Sequence, residues 1–123
     1  YLWGTGICVS LIVSRVLAII GAMIVAFSVA PTFSDPEQGM AEAVAEAVRV
    51  VRESGLPNET NAMFTLVEGE WDEVMEVVKR ATEAVSRVSP RTSLVIKADI
   101  RNGYTGQLRA KVDAVEDALK ATD

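Results

Sequence analysis

The sequence predicts one α+β domain. Strand-like and helical segments alternate along its 123 residues, in the order strand, helix, strand or hairpin, helix, strand, helix. Half of the residues are hydrophobic, which is enough for a single core. Because a helix follows a strand in two similar halves, the helices are expected to cover one face of a mostly antiparallel sheet.

The first strand is predicted in "MIVAFSVAP", residues 23–31, where nearly continuous apolar character is typical of a central strand. The apolar stretch 7–30 contains a single charge, Arg15, and its length alone would suffice to span a bilayer, which needs about 20 apolar residues. A secretory signal is a second interpretation, but no positive charge precedes the apolar run. We prefer a third interpretation, in which Met23 is the natural start, residues 1–22 are an upstream extension and the domain is 23–123. A membrane anchor is the lesser alternative.

The first helix is predicted in "SDPEQGMAEAVAEAVRVVRESGLP", residues 34–57. Asp35 is placed to cap its start, Gln38 sits where a capping-box partner belongs, and Gly55 is placed to end it in the left-handed conformation. Helical spacing predicts one apolar stripe. Its members are Met40, Val44, Ala47, Val48 and Val51.

The segment from Thr60 to Glu68 is predicted to be one bent strand or a hairpin of two short ones. Gly69 is expected to turn the backbone into a second helix, residues 70–88. Acidic side chains gather in its first turn, where the helix dipole stabilises negative charge; they are Glu70, Asp72 and Glu73. The predicted buried stripe of this helix comprises Trp71, Val74, Met75, Val78, Ala81, Val85 and Val88.

The last strand is predicted in "RTSLVIKADIR", residues 91–101, and a final helix follows the turn "NGYTG". One strand face carries Leu94, Ile96, Ala98 and Ile100, and the other carries Val95, Lys97, Asp99 and Arg101. The final helix presents Leu108, Val112, Val115 and Leu119 on one side. The complete order, β-α-β-β-α-β plus a C-terminal helix, is that of a ferredoxin-like sandwich with a four-stranded antiparallel sheet.

The sheet face without helices is expected to bind another copy of the chain. This face is mostly apolar in the first strand and charged in the last, and apolar surface at the centre of a sheet is expected to be covered by another subunit rather than left in water. The predicted interface residues are Val95, Lys97, Asp99 and Arg101.

Composition excludes several classes of function. Acids outnumber bases 17 to 12, a formal charge of −5, whereas nucleic-acid binding relies on a basic face. There is no His and the single cysteine is Cys8, so a zinc site or a Cys–His nucleophile pair cannot be assembled and no disulfide forms within the chain. We therefore predict no metal and no cofactor, and only carboxylate, hydroxyl, Lys or Tyr chemistry stays open to an enzyme. The lone cysteine also lends no support to an oxidising compartment.

With the segments assigned, residues 23–123 resemble the family of small thiamine-binding proteins. The resemblance lies in "MIVAFSVAP", in "AEAVRVVRESGLPNETNAMFTLVEGEWDEV" and in "LVIKADIR", and its most specific part is the Glu68-Gly69 block. It departs modestly from the family pattern at Asn61-Ala62. The resemblance implies a cytoplasmic protein that is not an enzyme. It also implies binding of thiamine or its hydroxymethylpyrimidine moiety, and tetramers formed by stacking the sheets of two dimers.

A thiamine site needs short polar groups on a strand, an apolar wall for the ring and a carboxylate for the thiazolium cation. The candidate ligand-binding residues are Ser28, Asn61, Met63, Thr65 and Glu68, with Phe27 as a further wall and Asp99 as an alternative carboxylate. Each also has an ordinary structural interpretation: strand positions for Ser28 and Thr65, core packing for Met63 and Phe27, a solvated strand end for Glu68.

Three functions stay open from the sequence. The first is a thiamine-binding homo-oligomer. The second is a regulatory or structural oligomer with no thiamine ligand. The third is an enzyme that uses the carboxylates of Glu68 and Asp99, but the lack of His and of any nucleophile–base pair opposes it.

Overall fold

The computed structural model describes residues 22–32 and 39–122. They form a four-stranded antiparallel sheet in the order β2-β3-β1-β4. The elements are β1 (Ala22–Thr32), α1 (Met40–Glu53), β2 (Asn58–Thr60), β3 (Thr65–Glu70), α2 (Trp71–Ser86), β4 (Arg91–Ile100) and α3 (Gln107–Thr122). The predicted ferredoxin-like α+β sandwich is therefore confirmed.

Two predictions fall outside the described residues. One is the extension 1–22, of which only Ala22 is described, as the first residue of β1. The other is the start of the first helix at Asp35 and Gln38, since α1 is described from Met40. Across residues 22–32 and 39–122, no helix is both long and apolar enough to cross a bilayer.

The core lies between the sheet and the pair of helices α1 and α2. β1 is the central strand, and its inward side chains Met23, Val25 and Phe27 are at most 2% exposed. Antiparallel pairing with β3 sets Val25 opposite Val67, which is also fully buried. α2 closes this face with its predicted apolar stripe, including Val78.

The two helices differ in how well the sequence predicted their buried faces. In α2 the middle of the stripe is buried as predicted, whereas Trp71 at its start is 39% exposed and Val88, two residues beyond its end, is 57% exposed. In α1 the buried line runs through Ala43, Ala47 and Val51, while Met40 and Val44 lie at the surface. Small alanines bring α1 close to the sheet, and this orientation directs Val44 and Val48 toward the β2–β3 hairpin.

The segment 60–68 is a hairpin, one of the two predicted possibilities, and Gly55 ends α1 with a φ of 78° as predicted. The role predicted for Gly69 is wrong: this residue lies within β3, paired with Met23, and the backbone does not need a left-handed conformation there. A Cβ at Gly69 would lie 3.2 Å from Cγ2 of Val74 and 3.4 Å from the methyl groups of Leu56. Glycine therefore permits close packing of β3 against the core.

The third helix lies on the opposite sheet face from α1 and α2, so helices do not cover one face only. Its first turn covers Glu68 of β3, and its Leu108 is 8% exposed. Two ion pairs flank this contact: Lys111 with Asp99 of β4, and Arg109 with Glu59 of β2 at 4.0 Å. Beyond the first turns the predicted apolar side is exposed, with Val112, Val115 and Leu119 each 50–59% accessible.

Candidate ligand-binding cleft

A cleft of about 240 Å³ opens between α1 and the β2–β3 hairpin. It is lined by Phe27, Ser28, Val29, Ala30, Val44, Ala47, Val48, Thr60, Asn61, Ala62, Met63, Phe64 and Thr65. Four of the five predicted ligand-binding residues are in this set, and every described lining residue is uncharged. The cleft therefore offers an apolar interior with a few polar groups, which is the usual composition of a small-molecule site.

Two threonines are direct neighbours in the lining of the cleft. Thr65 of β3 pairs directly with Thr60 of β2 and, on its other side, with Phe27 of β1. Directly paired residues of antiparallel strands project to the same face, with Cβ atoms about 5 Å apart. Because Phe27 projects into the core beneath α1, both threonines project to the face on which α1 lies. The sequence pointed to Thr65 but not to Thr60, since only the strand register reveals the pair.

Asn61 shapes the hairpin loop. Its Oδ1 accepts hydrogen bonds from the backbone N–H groups of Met63 at 2.8 Å and Phe64 at 2.9 Å, and its own N–H donates to the Phe64 carbonyl at 2.9 Å. This Asx-type turn fixes the loop at the cleft mouth. The side-chain oxygen is thus occupied, and the side-chain NH₂ is the group of Asn61 that can donate to a ligand.

Apolar side chains form two walls of the cleft. Phe27, which is 2% exposed, belongs to the core and lines the floor, so its core role and its lining role coexist. Val44 and Val48 form the α1 side. The sequence assigned both valines to the core, because helical spacing alone cannot separate the centre of a buried stripe from its edge. Met63 is 73% exposed at the mouth, which contradicts core packing for this residue.

Ser28 borders the cleft, but its side chain belongs to the other sheet face. It alternates with the inward residues Phe27 and Val29, and it pairs with Val95 of β4 on the face opposite α1. Ser28 is therefore placed to contribute backbone atoms to the cleft, whereas its hydroxyl group points away from the paired threonines.

Glu68, the predicted anionic group of the site, does not line the cleft. It lies on the face that α3 covers and is 5% exposed. Its Oε2 accepts a hydrogen bond from the N–H of Gln107 at 2.7 Å, and its Oε1 accepts one from the N–H of Leu108 at 3.3 Å. A carboxylate is stabilised at a helix N-terminus, where unpaired N–H groups and the helix dipole converge. Glu68 thus caps α3 from a position some 40 residues earlier in the chain.

The other acids of this region start α2, as the sequence predicted. Glu70 is the N-cap residue, with extended backbone, and its N–H donates to Oε1 of Glu73 at 3.2 Å. The side chain of Glu70 in turn accepts the backbone N–H of Glu73, so the two residues form a capping box. Asp72 lies in the same first turn.

The predicted interface residues lie on or just after β4, and two of them, Asp99 and Arg101, contact side chains of the same chain. The full set is Val95, Lys97, Asp99 and Arg101. Asp99 is paired with Lys111 of α3, whose hydrogen bond and positive charge hold the pKa of the Asp99 carboxyl below its ordinary value. The guanidinium of Arg101 lies 3.6 Å from the ring centroid of Tyr104. Val95 is 53% exposed.

A second groove, of about 480 Å³, separates α3 from the sheet. Its floor includes Ile24, Ala26 and Leu66, and Asp99 stands at its side as the alternative carboxylate that the sequence offered. Asp99 already pairs with Lys111, so a cationic ligand in this groove would have to share the carboxylate with that lysine.

Known proteins match this chain over the residues that form the cleft. The sequence model of a family described as thiamine-binding protein matches residues 25–116, which include the cleft and the start of α3. A UPF0045 protein of Mycobacterium bovis is 54% identical over 96 residues, which are 77% of this chain and 92% of the relative.

Solved structures share the fold. A domain of unknown function from Bacillus cereus has a TM-score of 0.62 at 31% identity, over 70% of this chain and 84% of that chain. A Thermotoga maritima structure, described as a candidate thiamine biosynthesis or salvage protein, has a TM-score of 0.62 at 23% identity, over 73% of this chain and 96% of that chain. At that identity the likeness is one of fold. The match of residues 25–116 to the family model, together with the mycobacterial relative, confirms the resemblance seen in the sequence: this chain belongs to the thiamine-binding protein family.

Proposed function

We propose that this protein is a non-enzymatic binding protein for a thiamine-type ligand, and that the aminopyrimidine moiety of the ligand occupies the cleft between α1 and the β2–β3 hairpin. The observation that carries the proposal is the convergence of Thr60, Asn61 and Thr65 on one cleft, with Met63 at its mouth, in a chain of the thiamine-binding family.

The chemistry of the cleft favours the pyrimidine over the thiazolium ring. An aminopyrimidine has donor and acceptor atoms side by side, and the paired hydroxyls of Thr60 and Thr65 can both donate and accept. Phe27 and Val48 offer apolar surface to the ring. A cation would gain no carboxylate among the described lining residues, because Glu68 caps α3 on the other face. We therefore expect hydroxymethylpyrimidine to account for most of the affinity.

Calorimetric titration tests the site. Thr65→Val keeps the shape of the side chain and removes its hydroxyl, and truncating one partner of a buried hydrogen bond costs about 1–3 kcal/mol, or about tenfold or more in Kd. Thr60→Val should act in the same direction. Thr105→Val, in the loop before α3, is the matched control and should leave the Kd unchanged. If neither thiamine nor hydroxymethylpyrimidine binds the unmodified protein, a regulatory or structural oligomer becomes the better description.

We further propose that the protein acts as a homo-oligomer, a tetramer, through the sheet face that bears Val95. The exposure of Val95, and of the apolar side of α3 at Val112 and Val115, supports a partner on this face. We propose a cytoplasmic location, supported by a composition with one cysteine. Light scattering tests the first proposal, and cell fractionation of the full chain tests the second.

A further inference from the structure

A third groove adjoins the cleft along the outer side of α1. It encloses about 710 Å³ and is lined by Ala41, Val44, Ala45, Val48, Arg49, Arg52, Glu53 and Thr60. Val44, Val48 and Thr60 line both spaces, so they form the border between groove and cleft. A ligand seated in the uncharged cleft can therefore extend into the groove without crossing the core.

The groove differs from the cleft by carrying positive charge at one end. Arg49 and Arg52 lie about one helical turn apart on α1 and both line the groove. Arg49 contacts Glu46 at 3.3 Å, but both side chains are more than half exposed. The interaction energy of such an exposed pair is small, so the guanidinium of Arg49 remains available to a ligand. Guanidinium groups bind phosphate in a bidentate manner, so two of them on one groove are suited to a phosphate group.

We propose that the natural ligand is a phosphate monoester of the pyrimidine alcohol, with the ring in the cleft and the phosphate between Arg49 and Arg52. This inference rests on the proposed function. Arg52 follows Val48 by one helical turn, about 6 Å along the helix axis, which a hydroxymethyl linker and a flexible arginine side chain can span. The net charge of −5 and the carboxylate of Glu53 in the same groove both oppose an anion, so binding of a phosphate there depends on the local attraction of the two arginines.

Calorimetry with hydroxymethylpyrimidine and with its phosphate monoester tests the inference. The ester should bind the unmodified protein about tenfold more tightly than the alcohol, since charge-assisted bonds are the stronger class. The double variant Arg49→Gln/Arg52→Gln should lose this advantage and keep its affinity for the alcohol. Arg80→Gln on α2 is the matched control, because it removes an exposed arginine that lines neither space. Unchanged melting temperatures verify the fold of all variants.

Each outcome assigns the failure to one proposal. If neither compound binds, the proposed function fails and the phosphate site with it. If the alcohol binds and the ester binds no better, only the phosphate site is refuted. The same holds if the ester keeps its advantage in the double variant. As an independent readout, the advantage should decline as pH falls below about 6, where the phosphate loses its second charge.

Discussion

Replacing Glu68 by Gln should release α3 from the sheet and leave the ligand cleft intact. The two carboxylate oxygens accept the N–H groups of Gln107 and Leu108, and hydrogen bonds to charged acceptors contribute about 1.5–3 kcal/mol each. Glutamine keeps one acceptor oxygen, but it turns an NH₂ group toward the second amide, so at least one buried N–H loses its partner. We therefore expect the docking of α3 to weaken by about 2 kcal/mol, or about thirtyfold.

Hydrogen exchange of the α3 amides measures this equilibrium directly, with the amides of β1 as an internal reference. Glu59→Gln is the control variant, since Glu59 contacts the same helix through an exposed 4.0 Å pair with Arg109 and should change exchange less than about fivefold. Equal effects of the two variants, or slow exchange in Glu68→Gln, would refute the capping role. Ligand affinity should be unchanged in Glu68→Gln. A loss of affinity as large as that in Thr65→Val would show that Glu68 contributes to ligand binding.

Further predictions concern the sheet faces and the core. Val95→Glu should shift the oligomer toward smaller species in light scattering, because an unpaired charge buried in the interface costs several kcal/mol. Val88→Glu, just after α2 and of similar exposure, is the control and should leave the mass unchanged. Equal masses for the two variants would contradict the proposed interface. Because pairing with Lys111 lowers the pKa of Asp99, that pair stabilises α3 docking above the ordinary carboxyl pKa of about 4, and the contribution should be lost as pH falls through the lower folded-state pKa. Asp99→Asn should abolish this pH dependence of α3 exchange. Gly69→Val should lower the free energy of unfolding by about 1–3 kcal/mol in urea titrations, since a Cβ there already meets a core methyl at 3.2 Å; an unchanged midpoint would show that the core has room.

The fold was predictable because its signals are local. Strand alternation in β1 and β4 and helical spacing in α2 each follow from a few adjacent residues, and the element order then leaves few topologies. Residues that pointed to the cleft, such as Asn61 and Thr65, lie in one short stretch of chain.

The rest depended on contacts between distant segments. Thr60 joins the cleft only through its register with Thr65, and the pairing of β1 with β4 turns the hydroxyl of Ser28 to the other sheet face, which leaves its backbone at the cleft. From the sequence, Glu68 was predicted to be a solvated or ligand-binding acid. Its hydrogen-bond partners could not be inferred, because they lie about 40 residues away, at the start of α3. No short-range pattern signals a helix cap that comes from another strand.

The composition of the core has a consequence for how the sequence can diverge. Among the described residues, the central hydrophobic cluster draws on β1, α1, β3 and α2, and none of its members belongs to α3. The candidate cleft is likewise built without α3. Substitutions at the exposed positions of α3, away from the buried Leu108, therefore leave the central cluster and the cleft untouched, provided that a carboxylate remains at Glu68. The outer surface of the third helix can therefore change what the protein contacts without changing the cleft.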